Sequence, residues 1–393
     1  MYLTSEPSGL LQLVTSFMIP RSHSTDPRVH PATGERLIPF HLTLEDHILN
    51  LKPVGLLTPA VLTAILTYAA GRPDRREWAF RPFAERPFSA VEVGSVIGKV
   101  DGVQCLTFHP EVVAGGGEAM SNVMREMKTA WRVEGLFGLS PVPCWEDCQV
   151  HADPLSSFFA DHPNKQRKDN VAFCMPRQPT SLFGVSILGA HLIAYEGEGV
   201  DMKIWIQRGV RLSTTIRLRW TAYVLLGRPK ALGGGSLTLT AGGGISAGMG
   251  VRETLLAEAS EEAGLDPFYL GARLRCCGAL SFMADVRGVA VVFETECVPS
   301  QLYTFEVKLD PTEADYQHPR VVDKDEVDSF SLIGLPELLT RLHNREVCPG
   351  ATKVIIDFLI RHGIITPENE PDYLQLLWAS KVELPVAIGT RLM

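Results

Sequence analysis

The sequence lacks the long apolar runs that a membrane span needs, since no stretch of about 18 or more residues is free of polar interruption. A transmembrane helix is therefore not expected. It also lacks early positive charge: MYLTSEPSGLLQLVTSF carries Glu6, and the first basic residue is Arg21. That start has neither the basic opening of a secretory signal nor the Arg-rich character of a transit peptide, so the expected location is cytoplasmic. Positive charge is short overall, with 37 Lys and Arg against 45 Asp and Glu, a net charge of -8. Nucleic-acid binding over a broad basic surface is argued against, because that mode depends on neutralising phosphates. A small anionic ligand stays open. Cysteine is sparse too, with 8 scattered over 393 residues, unlike the dense disulfide framework of a small secreted domain. Reduced thiols are expected. Cys144, Cys148, His151 and Cys174 form the sharpest group, yet CWEDC lacks the second close pair of a zinc site.

What is present is enough apolar residue, 45% against 21% charged, to bury a substantial core. The length fits roughly two domains. Residues 1–36 hold the Pro-, Ser- and charge-rich PRSHSTDPRVHPATGER and read as a flexible lead-in. Residues 37–170 alternate helical segments (LTPAVLTAILTYAA, EAMSNVMREMKTAWRVEG) with short apolar runs such as AVEVGSVIG, an α/β pattern. The polar DHPNKQRKDN, Asp161 to Asn170, reads as a linker to a second domain over 171–377, with 378–393 as a tail. In that domain HLIAYE, KIWIQ, RWTAYVLL, SLTLT and VAVVFETEC have the β-branched and aromatic content of strands. VRETLLAEASEEAG reads as a helix among them, and LPELLTRLH and TKVIIDFLIRH as two closing helices, the second stopped by Gly363. The fold class is α/β (α+β).

Residues 242–265 read GGGISAGMGVRETLLAEASEEAGL, a Gly-rich turn feeding a helix that Gly264 ends. Glu258, Glu261 and Glu262 fall at i, i+3 and i+4 and project within reach of a common ion. Three like charges so close repel unless cations neutralise them or some take up protons, and oxygen ligands suit Mg²⁺ or Mn²⁺. Leu256, Ala259 and Ala263 supply a different stripe, expected to pack on the sheet. From the carboxylates alone, a solvated acidic face is the better reading.

This stretch resembles the Nudix box, G-x5-E-x7-R-E-U-x-E-E-x-G-U with U a bulky apolar residue, without a gap. Gly243 falls on the first glycine, Glu258, Glu261 and Glu262 on the last three glutamates, Gly264 on the closing glycine and Leu265 on the final apolar position. Met249 stands at the first glutamate, Ala257 at the arginine, and the small Ala259 at the first bulky position. In the family that arginine helps orient the carboxylates, and alanine's side chain donates no hydrogen bond. Arg252 is a poor substitute from within the helix.

More widely, LFGVSILGAHLIAYE, KIWIQRG, DKDEVDSFSL and CPGATKVIIDFLIRHGIITPENEPDYLQLL join the box in resembling thiamine pyrophosphokinase-related Nudix proteins. These carry an N-terminal domain of uncharacterised type and, at the position of Met249, also methionine. The resemblance covers about Leu182 to Leu377. It implies a Nudix α/β/α sandwich with a mixed sheet behind a smaller α/β domain. The longer segment VRLSTTIRLRWTAYVLLGRPKALGGGS, 210–236, stands where the family has a short Lys-containing connection, and Lys230 is its candidate lysine.

The implied activity is Mg²⁺-dependent (or Mn²⁺-dependent) hydrolysis of an organic diphosphate, with thiamine diphosphate or its oxidised forms as the leading substrate. It implies Gly243, Glu258, Glu261 and Glu262 as metal ligands, and Lys230, Gly243 and Gly244 at the substrate. Glu261 and Glu326 are the candidate catalytic carboxylates, with Asp325 competing for the base and a plain charged loop as the bland reading. Cys276 and Cys277 invite comparison with isopentenyl diphosphate isomerase, against which stands the usual inert buried thiol. His191, Trp205 and Tyr195 could face a ligand, although packing is the commoner role of each. Two rival classes stay open, a hydrolase of nucleoside diphosphate derivatives and a non-catalytic binding module.

Overall fold

Among the described residues a four-stranded and a seven-stranded sheet organise the chain, and a two-stranded sheet joins the core of the first. The computed structural model describes residues 9–15, 29, 34–82, 103–139, 146–161, 170–210, 236–285 and 297–389. The first sheet joins β1 (Ile38–His41), β2 (Gly55–Leu57), β3 (Trp78–Pro82) and β4 (Val103–Phe108) in the order β2-β1-β4-β3. Pairing is antiparallel except for β1 with β4. Thr58 starts the helix Pro59–Ala70 by accepting the Val61 N–H, with Pro59 in the first turn where no N–H is needed. The helix Gly116–Val133 buries Met120, Val123, Met124, Met127 and Trp131, the three-and-four spacing of a one-sided helix. β5 (Asp147–His151) and β6 (Val171–Pro176) pair antiparallel and add Val150, Phe173 and Met175 to the same core, which continues to Val185.

The second sheet contains β7 (Ile187–Glu196), β8 (Lys203–Gly209), β9 (Leu237–Thr238), β10 (Ala241–Gly244), β11 (Arg275–Asp285), β12 (Cys297–Lys308) and β13 (Val327–Gly334). Its main path is β11-β12-β7-β8-β13, with β10 on β7 and β9 on β8. β7 and β12 run parallel while their neighbours are antiparallel, so the sheet is mixed. Alternation along β7 explains the layers. Ala190, Leu192 and Ala194 pack with Leu255 and Ala259 of the helix Val251–Ala263. Ile193 and Tyr195 pack instead with Val354, Ile355 and Phe358 of the helix Pro349–Arg361. Helices thus cover both faces, and the mixed α/β class expected from the sequence is what the chain adopts.

Several expected elements are placed. LPELLTRLH is the helix Leu335–His343, while the last long helix starts at Pro349, ahead of TKVIIDFLIRH, and is followed by Gly363 at φ +69°. SLTLT yields only the short β9, because Thr240 turns aside: its Oγ1 accepts the Ala194 N–H and donates to the Trp205 carbonyl, both at 2.8 Å. AVEVGSVIG, RWTAYVLL and most of VAVVFETEC lie outside the described residues. Among the described residues no helix is long and apolar enough to cross a membrane.

Candidate active site

The helix Val251–Ala263 places its glutamates through its caps. Glu253 accepts the Gly250 N–H at 3.3 Å at its start, and Gly264 ends it in the left-handed conformation at φ +61°. The stripe turned to the sheet is Val251, Leu255, Ala259 and Ala263; Ala259 and Ala263 lie on it as expected, while Leu256 is only partly buried and Leu255 takes its place. Packed this way, the helix gives its three glutamates different surroundings. Glu262 is 6% exposed, Glu258 is half-buried and Glu261 is exposed.

β10 is built to receive them. A β-carbon on Gly243 would fall 1.9 Å from Oε1 of Glu258, so only glycine lets that carboxylate rest on the strand. One residue earlier, the Gly242 N–H donates to Oε2 of Glu262 at 3.0 Å. The segment after Glu313 then docks on the helix end, with the Arg320 N–H on the Ala263 carbonyl at 2.9 Å. Glu326, whose carbonyl accepts the Val210 N–H at 2.9 Å, follows at the foot of β13.

Electrostatics ties these carboxylates together. Burial, then the charge of Glu261, pushes Glu258 up to about 7, with Arg177 opposing. Glu262 is raised well above the usual carboxylate range by burial and by Glu258, despite its bond from Gly242. Glu326 is pushed up to about 8, first by burial, then by Asp323, Glu258 and Glu261. In each the charged form is disfavoured, because nothing nearby fully offsets it. Asp325 is exposed beside Asp323 Oδ1, which accepts its N–H at 2.8 Å.

A residue that the sequence did not single out completes the surroundings. Arg177, in the turn after β6, is 7% exposed and covers Gly244 so closely that a β-carbon there would lie 1.7 Å from Nη1. Its Nη2 donates to the Gly244 carbonyl at 3.2 Å and to Ser246 Oγ at 3.0 Å. Glu146 Oε2 stands 2.9 Å from Nε. Arg177 is far from the box in sequence and has no motif around it, so only tertiary contact reveals it.

The other candidates separate clearly. Lys230 lies outside the described residues, as does nearly all of 210–236. Arg252 donates to the Gly271 carbonyl at 2.7 Å, away from Glu258. His191 is buried against Gly189 and Gly242, and burial lowers it to about 4, so it is neutral near pH 7. Tyr195 packs edge-on to Phe358 and His362, and Trp205 donates to Glu196 Oε1 at 2.9 Å while stacking on His318. Burial pushes the Cys277 thiol up to about 12, the opposite of an activated nucleophile. Across β5 and β6, Cys148 pairs with Met175 and Cys174 with Gln149, so the two thiols are not opposite each other, and Cys144 lies outside the described residues.

Among the described residues no group of three His, Cys, Asp or Glu side chains is gathered tightly enough to hold a metal ion outright. The donor chemistry nevertheless fits a hard divalent cation. Glu258 lies in a cradle that a β-carbon would fill, beside the exposed Glu261 and two further acids held at raised pKa. Buried like charges of this kind are relieved by a bound cation.

A mixed sheet between helices, with a glutamate-bearing helix on a glycine strand, defines the class of site. No family model matches the chain. Over 147 residues it is 34% identical to an uncharacterised protein of Saccharomyces cerevisiae, covering 36% of this chain and 42% of the yeast protein. Over 148 residues it is 34% identical to the chloroplastic Nudix hydrolase 24 of Arabidopsis thaliana, covering 36% of this chain and 35% of the plant protein. The chain thus spans less than half the length of either relative. Among solved structures, the NUDIX domain of Shewanella oneidensis NrtR complexed with ADP ribose is 11% identical, over 46% of this chain and 90% of that one, at a TM-score of 0.29. A NUDIX hydrolase from Nitrosomonas europaea is 13% identical, over 46% and 96%, at a TM-score of 0.28. Scores this low leave the fold to be judged from the chain itself.

Proposed function

We propose that this protein is a Nudix hydrolase that cleaves an organic diphosphate in a metal-dependent reaction, with thiamine diphosphate or an oxidised form of it as the leading substrate. The observation that carries the reading is the Glu258 carboxylate resting on Gly243, with Glu262 and Glu326 drawn to the same place. The unbroken register of the box and the sequence similarity to a plant Nudix hydrolase support it. The thiamine assignment rests on the wider resemblance of residues 182–377.

Glu258, Glu261, Glu262 and the Gly243 carbonyl would hold Mg²⁺ or Mn²⁺. Such an ion, when bound, supplies positive charge against the diphosphate oxygens and Lewis acidity toward water. The residues of the chain do the rest. Gly243 and Gly244 are the candidate backbone positions at the diphosphate, their side-chain space being taken by Glu258 and Arg177, and Lys230 is the candidate cation for its outer oxygens. Glu326 takes the proton of the water that attacks phosphorus, and Glu261 is the second carboxylate in reach of that role. The bridging P–O bond breaks, leaving the organic monophosphate and phosphate.

The test is phosphate release with Mg²⁺ or Mn²⁺ across thiamine diphosphate, its oxidised analogues, ADP-ribose and nucleotide sugars. Thiamine diphosphate or an analogue should be turned over, and EDTA should stop it. Cleavage of ADP-ribose or nucleotide sugars alone would move the substrate class to nucleoside diphosphates. No cleavage of any of them would leave a binding module.

A further inference from the structure

Two adjacent glycines of β10 are each covered by one charged group. Gly243 carries the Glu258 carboxylate, and Gly244 carries the Arg177 guanidinium. Side chains alternate across a strand, so the two charges lie on opposite faces of the same peptide. The carbonyl that would serve as a metal ligand, that of Gly243, is part of that peptide. Arg177 fixes the segment that follows through its bonds to the Gly244 carbonyl and Ser246 Oγ. The Asp147 carbonyl accepts the Ala247 N–H at 2.9 Å, and Arg125 in turn binds Asp147 Oδ2 from Nε at 3.0 Å and from Nη2 at 2.7 Å. The glycine turn is therefore held from outside by β5, the turn after β6 and the helix Gly116–Val133, elements that flank the first core.

The helix itself has no arginine to hold its carboxylates, since Ala257 stands there and Arg252 is spent on Gly271. We propose that Arg177 is the positioning residue of this site: delivered by the N-terminal part of the chain, it fixes the Gly243–Gly244 turn and sets Glu258 for metal binding. The inference rests on the metal-dependent reading above. It also gives the N-terminal region a role in the reaction without any contact to substrate. Planarity and several fixed donors suit arginine to this, because one guanidinium must reach a carbonyl, a hydroxyl and Glu146 together. Groups that orient ligands without touching the metal change affinity or activity by about 10–100-fold when removed.

The experiment measures Mn²⁺ binding to the full chain by electron paramagnetic resonance, alongside kcat and KM for the diphosphate that it cleaves. Arg177→Ala should weaken Mn²⁺ binding about tenfold and lower kcat more than it raises KM, read on protein that a thermal melt shows to be folded. Arg177→Lys should restore part of the affinity. Gly244→Ala keeps the charge but displaces the guanidinium, and should weaken Mn²⁺ binding several-fold; it decides the matter if Arg177→Ala does not fold. Mn²⁺ affinity unchanged in folded Arg177→Ala, or in Gly244→Ala, overturns the role of Arg177 while leaving the hydrolase reading intact. A wild-type chain that binds no Mn²⁺ overturns both.

Discussion

The Glu258 carboxylate lies on Gly243 with less than 2 Å between its Oε1 and the place a β-carbon would occupy, at 1.9 Å. Alanine at 243 therefore cannot coexist with Glu258 where it now stands. The clashing atoms are the end of a flexible side chain, so Glu258 should swing aside with little loss of stability. Gly243→Ala is expected to lower the melting temperature by only a few degrees while turnover falls by about tenfold or more. Thermal melts and steady-state kinetics on one preparation separate the two effects.

Glu262 tests the carboxylate set. Gln keeps its size and can still accept the Gly242 N–H, but removes the charge. Turnover should drop by about two orders of magnitude or more and metal affinity should fall. Glu253→Gln is the control, since that exposed residue only caps the helix start, five positions and about 140° from Glu258. Equal and small effects of both on Mg²⁺ binding and turnover would reduce the glutamates to a solvated face.

The base assignment separates two neighbours. Glu326 shares its surroundings with Glu258 and Glu261, while Asp325 is exposed beside Asp323. Glu326→Gln should lower kcat by about a hundredfold or more, with Asp325→Asn near wild type. The reverse order in kcat would transfer the role to Asp325.

Ala257 is the plainest gap in the box. An arginine there lies four residues before Glu261, a spacing that lets the two side chains meet on the helix surface. Ala257→Arg should leave kcat unchanged or raise it. A large loss of turnover in a well-folded variant would count against the register.

Lys353 gives a pH prediction away from the site. It is 1% exposed, its ammonium lies 3.7 Å from the Phe282 ring centroid, and burial lowers it to about 7. Unfolded, a lysine holds its proton to about pH 10.4. Between those values the unfolded chain binds the extra proton, so stability rises with pH from about 7 toward 10. Lys353→Met should be more stable by about 1–3 kcal/mol near neutral pH and should flatten that rise. Urea titrations at pH 7 and pH 9 check both; parallel curves for the two proteins would remove Lys353 as the cause.

By itself the sequence determined the elements whose causes are local. The helix Val251–Ala263 follows from its caps and apolar spacing, and the closing helix Leu335–His343 from its period. The spacing of Glu258, Glu261 and Glu262 and the glycines before them were legible for the same reason, since chemistry at three and four residues' distance is written along one helix. Burial was not legible, because which side of the helix meets the sheet depends on strands far away. The stripe on Leu255 in place of Leu256 therefore leaves Glu262 buried and Glu261 exposed. Arg177 was out of reach altogether, being 67 residues from the Gly244 carbonyl that it binds. A lone arginine after a strand carries no local signal, and its meaning arises only when the tertiary fold lays it on a glycine that has no side chain to exclude it.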